Sequence, residues 1–256
     1  MEPELHFISV ENTQEESFDR TEMEARFTAR RIRRLLDEKF PVQGEDGSWR
    51  LGAWTRDSMA GVGTLTFYDP DTGAYGALGH GITDTDTAQL MPLSSGSIME
   101  TSVKAVKKGE KGEPGQLKGD FTAQHDVGTV SANTTGGIFG TVAEGDFVSG
   151  TALPVAQRSQ VTTGPATILS TVSGDDTRAY QVEIVRLCPM NRDGRDLLLK
   201  VTDPQLLETT GGIVQGMSGS PIIQNGRFVG AVTHVLVNDP SQGYGILLEH
   251  MLEAVG

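Results

Sequence analysis

The sequence predicts an all-β protein with a helix at each end. Three observations carry this expectation. Glycine is one residue in eight, 32 of 256, while aromatics make up only 6 %. From Trp49 onward, short β-like runs are punctuated by Gly, Asp-Pro and Asn-Gly. That balance suits many short strands joined by tight turns and not a helical bundle.

The first segment differs from the rest. Between Glu11 and Lys39 there is neither proline nor glycine, and Glu15, Glu16, Asp19, Glu22 and Glu24 precede all of the arginines but Arg20. A helix dipole favours that charge order. Met23, Phe27, Leu35 and Leu36 add a moderate apolar stripe, so one helix of about five to seven turns ending before Pro41 is expected. Its basic cluster (Arg30, Arg31, Arg33, Arg34) is nearly cancelled by acidic neighbours, which favours a solvated or docking helix.

Residues 64–68 and 74–78 flank Asp69-Pro70-Asp71-Thr72-Gly73 and read as a hairpin. Further strands are expected near 98–106, 137–142, 165–172, 179–187 and 196–201, with a loop over 107–120. Pro221–Gln224 and Arg227–Val232 flank Asn225-Gly226, a pair that tolerates the positive φ angles of a two-residue hairpin turn. Leu247–Val255 reads as a short amphipathic helix. The chain thus divides into a helical lead, residues 1–45, and a β domain, residues 46–256.

Acidic residues outnumber basic ones by 34 to 21, for a net charge of −13. Nucleic acid is therefore not the expected partner, because phosphate binding needs a basic surface. The single cysteine excludes an intrachain disulfide framework and any Cys-based zinc cage. No window approaches 18 consecutive apolar residues, so no membrane span is expected. Met-Glu-Pro-Glu at the start lacks the basic and apolar regions of a signal peptide. If the protein acts outside the cytoplasm, this chain is expected to be a mature form or a fragment.

One segment points to chemistry: Gly211-Gly212-Ile213-Val214-Gln215-Gly216-Met217-Ser218-Gly219-Ser220-Pro221. A serine among small residues at a sharp turn suits a nucleophile whose neighbouring backbone N–H groups stabilise an oxyanion. A Gly-x-Ser-x-Gly elbow would be followed by a helix, whereas here Ser220 and Pro221 lead into a strand. The plain alternative is a Gly/Ser-rich turn, such as Ser94-Ser95-Gly96-Ser97 also suggests.

The surroundings favour chemistry. Gly-Met-Ser-Gly-Ser-Pro, an Ile-Ile strand, Asn-Gly and then Phe-Val-Gly-Ala-Val-Thr-His resemble the chymotrypsin-like serine proteases. That resemblance implies a double β-barrel, Ser218 as nucleophile, and the N–H groups of Gly216 and Ser218 as oxyanion donors. It implies that Thr233 supports the triad acid, that Thr233, His234 and Val235 form the edge that pairs with substrate, and that His234 lies in the wall of the substrate pocket. Gly212 would sit at the base of that pocket. Met217 stands where the family's zymogens keep an Asp, so activation through a new N-terminus is not expected.

A serine hydroxyl needs a general base, and histidine is the side chain that titrates near neutrality. His80 closes the predicted hairpin strand in Gly79-His80-Gly81. His6 and His250 lie in terminal segments, and His125 in a polar loop. For the acid that orients the base, Asp203 follows a strand and gives the order His, Asp, Ser. Asp57, Asp84 and Asp86 remain alternatives by spacing alone. Cys188, with no motif around it, is expected to be structural.

A closer resemblance is carried by Ala60–Tyr68, Tyr75–His80, Thr202-Asp203-Pro204, Thr210–Pro221 and Ala231–Val235. These runs are similar to the SpoIVB peptidases of spore-forming bacteria. The resemblance implies a triad of His80, Asp203 and Ser218, and no metal or organic cofactor. It implies secretion from the forespore into the space between the two sporulation membranes. There such peptidases cleave themselves and a regulator of a membrane-embedded protease, triggering processing of a mother-cell σ factor. The family's usual N-terminal anchor and PDZ domain are not recognisable in this sequence. The rival expectation is a non-catalytic protease fold that docks a partner protein.

Overall fold

The computed structural model describes residues 20–37, 60–84, 88–142, 151–188 and 194–255. The chain forms two units, Met1–Met59 and Ala60–Gly256. In the first, α1 (Arg20–Asp37) spans 18 residues, about five turns at 3.6 residues each. Arg34 in its last turn complements the negative end of the helix dipole. The expected flanks, Glu11–Asp19 and Glu38–Lys39, lie outside the described residues.

The second unit is all-β, as its composition predicts. Strands β1 (Leu65–Tyr68), β2 (Ala74–Ala77), β3 (Ser97–Lys107), β4 (Gln116–Thr134) and β5 (Gly137–Val142) form an antiparallel sheet in the order β1-β2-β5-β4-β3. Strands β6 (Gly164–Thr171), β7 (Thr177–Leu187), β8 (Leu197–Val201), β9 (Pro221–Gln224), β10 (Arg227–Val235) and β11 (Gln242–Leu247) close into a barrel, ordered β10-β11-β8-β7-β6-β9. Two short helices, α2 (Pro204–Thr210) and α3 (Leu248–Glu253), complete the unit. Among the described residues the first half is therefore an open five-stranded sheet, with β1 and β3 at its edges, beside one closed barrel.

Local chemistry explains the elements. The β1–β2 turn is held by Asp69, whose carboxylate accepts from the Asp71 N–H at 3.0 Å and the Thr72 hydroxyl at 2.7 Å. Asn225 and Gly226, at φ 52° and 72°, make the primed turn that their sequence predicts. The expected loop over 107–120 is instead the end of β3, a turn and the start of β4, closed by Glu110 and Glu113 exchanging backbone hydrogen bonds at 2.9 Å. Its Lys, Glu and Gly content hides a hairpin because exposed strand faces carry charge without penalty.

The barrel core shows the period of two that strands impose. Tyr180, Val182 and Ile184 alternate inward on β7, and Leu197, Leu199 and Val201 on β8, all 3 % exposed or less. With Ile168, Leu206, Ile213, Met217 and Ile222 they form one apolar cluster. Each such side chain contributes roughly 1.5–3 kcal/mol of burial free energy. A second cluster of Phe139, Phe228, Ala231, Ile246, Leu248 and Met251, with Phe67 against it, joins the open sheet to the barrel and seats α3.

Candidate active site

The segment between α2 and β9 folds as two overlapping turns. The Met217 N–H donates to the Val214 carbonyl at 3.1 Å, and the Ser220 N–H to the Met217 carbonyl at 3.0 Å. Gly216 at φ +98° and Gly219 at +91° occupy the third position of each turn. That is the type II arrangement, which needs a residue tolerant of positive φ there. Ser218 is therefore lifted out at the second position of the second turn, while Ser220 is fully buried. The choice of Ser218 over Ser220 as the accessible hydroxyl is a consequence of turn geometry.

Backbone contacts carry the open sheet to this serine. The Thr64 N–H donates to the Ser218 carbonyl at 2.8 Å, and the Leu78 N–H to the Thr64 carbonyl at 3.2 Å. A Cβ on Gly219 would lie 2.2 Å from the Thr64 oxygen, so only glycine permits this approach. Leu78 and Gly79 then turn at φ 70° and 72° and deliver His80. A left-handed leucine is strained by about 1 kcal/mol or more, and the surrounding contacts hold it there.

His80 Nε2 lies 3.0 Å from Ser218 Oγ, and its Nδ1 lies 2.9 Å from the Gly81 carbonyl oxygen. A carbonyl can only accept, so in the neutral ring Nδ1 carries the proton and Nε2 presents its lone pair to the serine. The Ser218 hydroxyl has a second acceptor, the Thr233 carbonyl, also at 3.0 Å. The His234 ring lies beside His80, with centroids 5.2 Å apart. The N–H groups of Gly216 and Ser218 donate to no described residue.

The expected acid is not part of this cluster. Asp203 is the N-cap of α2: its carboxylate accepts from the N–H groups of Gln205 at 2.9 Å, Leu206 at 3.0 Å and Gln181 at 3.2 Å. Tyr244 lies opposite both His234 and Leu198, whereas Asp203 lies past the end of β8 at Val201. The pattern Asp-Pro before a helix and Gly211 after it, at φ +76°, is a capping signature that the assignment to a triad overlooked. Among the described residues His80 has no carboxylate partner. The Asp84 N–H donates to the Gln89 carbonyl and the Asp84 carbonyl accepts from the Ala88 N–H, both at 2.9 Å; Asp57 and Asp86 lie outside the described residues.

Other expected residues have shifted partners. The Thr233 hydroxyl donates to the Gly194 carbonyl at 2.7 Å and not to Asp203. His234 and Val235 pair with Tyr244 and Gly243 of β11, while β9 pairs only with residues 227–231 of β10, leaving their other edge outside that ladder. Gly212 is capped by Pro240, whose oxygen would lie 2.0 Å from a Cβ there. His125 falls on β4, and His6 lies outside the described residues. Sequence reading missed the buried pair of His250 and Asp196, 2.9 Å apart, because each looks ordinary in its own segment. The half-buried Cys188 has its N–H bonded to the Asp196 carbonyl.

No curated protein matches the chain. Among solved structures, it is similar to Rv3671c from M. tuberculosis H37Rv, a serine-to-alanine mutant in an inactive form. That likeness has 15 % identity, covers 56 % of this chain and 68 % of the other, and has a TM-score of 0.38. The active form of the Rv3671c protease gives 12 % identity, coverage of 66 % and 93 %, and a TM-score of 0.35. The sequence profile of SpoIVB peptidase S55 matches residues 47–252.

Proposed function

The chain belongs to the SpoIVB peptidase S55 family, and from that premise we propose a serine endopeptidase built on Ser218 and His80. The observation that carries the reading is the 3.0 Å contact between His80 Nε2 and Ser218 Oγ, with Nδ1 engaged by the Gly81 carbonyl. Ser218 Oγ attacks the scissile carbonyl carbon as His80 Nε2 takes its proton. The N–H groups of Gly216 and Ser218 receive the oxyanion, an interaction that is among the largest in acyl transfer. Collapse expels the amine, which leaves with the proton from Nε2. A water then repeats the sequence on the acyl-enzyme and restores Ser218.

Gly81 does part of what a triad carboxylate does: it fixes the tautomer and orientation of the imidazole. It offers the imidazolium a dipole in place of a full charge. Thr233, through its own carbonyl, gives the Ser218 proton an alternative resting place, and its hydroxyl ties β10 to Gly194. The edge of Thr233, His234 and Val235 that lies outside the β9 ladder receives the substrate backbone.

The family supports a protein substrate and a place outside the cytoplasm. Within that reading the enzyme cleaves itself and a regulator of a membrane-embedded protease, in the space between forespore and mother cell. Ser218→Ala is expected to lower peptide hydrolysis and self-cleavage about 10³-fold or more. Near-normal activity in that variant would overturn Ser218 as the nucleophile, whereas no hydrolysis by the folded wild-type protein would favour a docking module. Purified enzyme that cleaves itself but leaves the regulator intact would remove only the signalling part.

A further inference from the structure

The two turns around Ser218 contain a peptide group that can point either way. In a type II turn the central peptide is reversed relative to type I, while the turn's ends stay in place. Here that group is Gln215–Gly216, inside the turn closed by Met217 N–H and the Val214 carbonyl at 3.1 Å. Glycine at 216, now at φ +98°, is equally at ease at negative φ. Reversal would turn the Gly216 N–H away from the oxyanion and present the Gln215 oxygen instead. Met217 is apolar and fully buried, so no ion pair at that side chain holds the loop.

We propose that the β3–β4 hairpin is the device that holds this peptide in its catalytic orientation, with the backbone N–H of Leu117 as the latch. This inference rests on the peptidase reading. The Leu117 N–H donates to the Gln215 carbonyl at 2.8 Å, and the Gln215 N–H donates to the Gly115 carbonyl at 2.9 Å. The nucleophile loop thereby pairs with the start of β4 in parallel, Gln116 opposite Gln215. Because the C=O and N–H of one peptide point in opposite directions, capture of the Gln215 oxygen by Leu117 dictates where the Gly216 N–H points.

The hairpin is fastened to do this. The Gly109 N–H donates to the Thr210 carbonyl at 2.8 Å, and the Gly112 N–H to the Val237 carbonyl at 2.8 Å. Leu117 is 3 % exposed, and its Cβ would lie 2.9 Å from a Cβ on Gly216. The open sheet therefore reaches the site twice: once through His80, and once through Leu117 to the oxyanion peptide. Leu117 is a positioning residue acting through its main chain, which is why its side-chain identity gave no hint.

The test replaces the Leu117 amide by an ester, Leu117→leucic acid, which removes the N–H and keeps the side chain. The same change at Lys118, Lys118→its α-hydroxy analogue, is the control, because alternate strand amides face opposite edges and this one faces β3. Losing one oxyanion donor lowers kcat by ~10²–10³-fold. The Leu117 ester is expected to lower kcat by about 10²-fold with KM within about threefold, and to weaken a peptide boronate by a similar factor. The Lys118 ester is expected to keep kcat and boronate affinity within about threefold. Equal losses from both esters would mean the hairpin is merely structural and would overturn the latch. So would wild-type kcat and boronate affinity in the Leu117 ester, provided Ser218→Ala is inactive. Activity surviving in Ser218→Ala would instead remove Ser218 as the nucleophile, and with it the reading on which the latch rests.

Discussion

Replacing Asp203 by alanine removes three hydrogen bonds from one end of α2. Two of them, from Gln205 and Leu206 at 2.9 and 3.0 Å, are N-cap bonds, and losing an N-cap side chain costs about 0.5–2 kcal/mol. The third, from Gln181 at 3.2 Å, adds about 0.5–1.5 kcal/mol. Asp203→Ala should therefore destabilise the protein by about 1–3 kcal/mol, some 2–12 °C in Tm for a domain of this size. Asp203→Ser or Asp203→Asn restores a cap and most of that loss. Catalysis separates the two possible roles. A triad aspartate changed to asparagine lowers kcat by about 10⁴-fold, whereas a helix cap leaves kcat per folded molecule nearly unchanged. Thermal unfolding and active-site-titrated peptide hydrolysis on Asp203→Asn decide the matter. Asn keeps the cap bonds from Gln205 and Leu206 but turns its amide toward the Gln181 N–H, so a Tm lowered by only a few degrees with kcat within about threefold of wild type is expected. The same small shift in Tm with a kcat loss of about 10³-fold or more would refute the reasoning and restore Asp203 to the triad.

Three further outcomes are expected. Gly219→Ala forces a Cβ to 2.2 Å from the Thr64 oxygen at φ +91°, and should lower stability by roughly 2 kcal/mol or more, read as Tm. Thr233→Val leaves the Gly194 carbonyl without its 2.7 Å donor, a loss of about 1–3 kcal/mol that denaturant titration measures. Asp239, in the β10–β11 turn, is held below its ordinary carboxylate range by the Ser241 hydroxyl and the Gln242 amide. A carboxylate lowered on folding contributes stability above its unfolded pKa and loses it as pH falls through the folded one. The stability gap between wild type and Asp239→Asn should thus close below about pH 4, as acid titrations of unfolding will show.

What could be read in the sequence follows its physics. The hairpins at 65–77 and 221–235 announce themselves because alternation and turn residues are local signals. The β4 strand does not, since its start is rich in Lys and Gly and its interaction partners are remote in sequence. Ser218 and His80 were legible because small residues, a strand end and a long shared motif coincide there. Asp203 carried two signals at once, a family position and a cap. The structure places it where the cap signal points. Leu117 was illegible in principle, because a backbone N–H is common to every residue but proline. Its importance arises only when β4 meets the nucleophile loop.

The mechanism proposed for this site makes Ser218, activated by His80, the one hydroxyl that reacts. A fluorophosphonate probe followed by mass spectrometry of the labelled peptide tests it most directly. A single adduct on Ser218 is expected, abolished by His80→Ala and retained in Asp203→Asn. An adduct on another residue, or none in the folded wild-type protein, would contradict it.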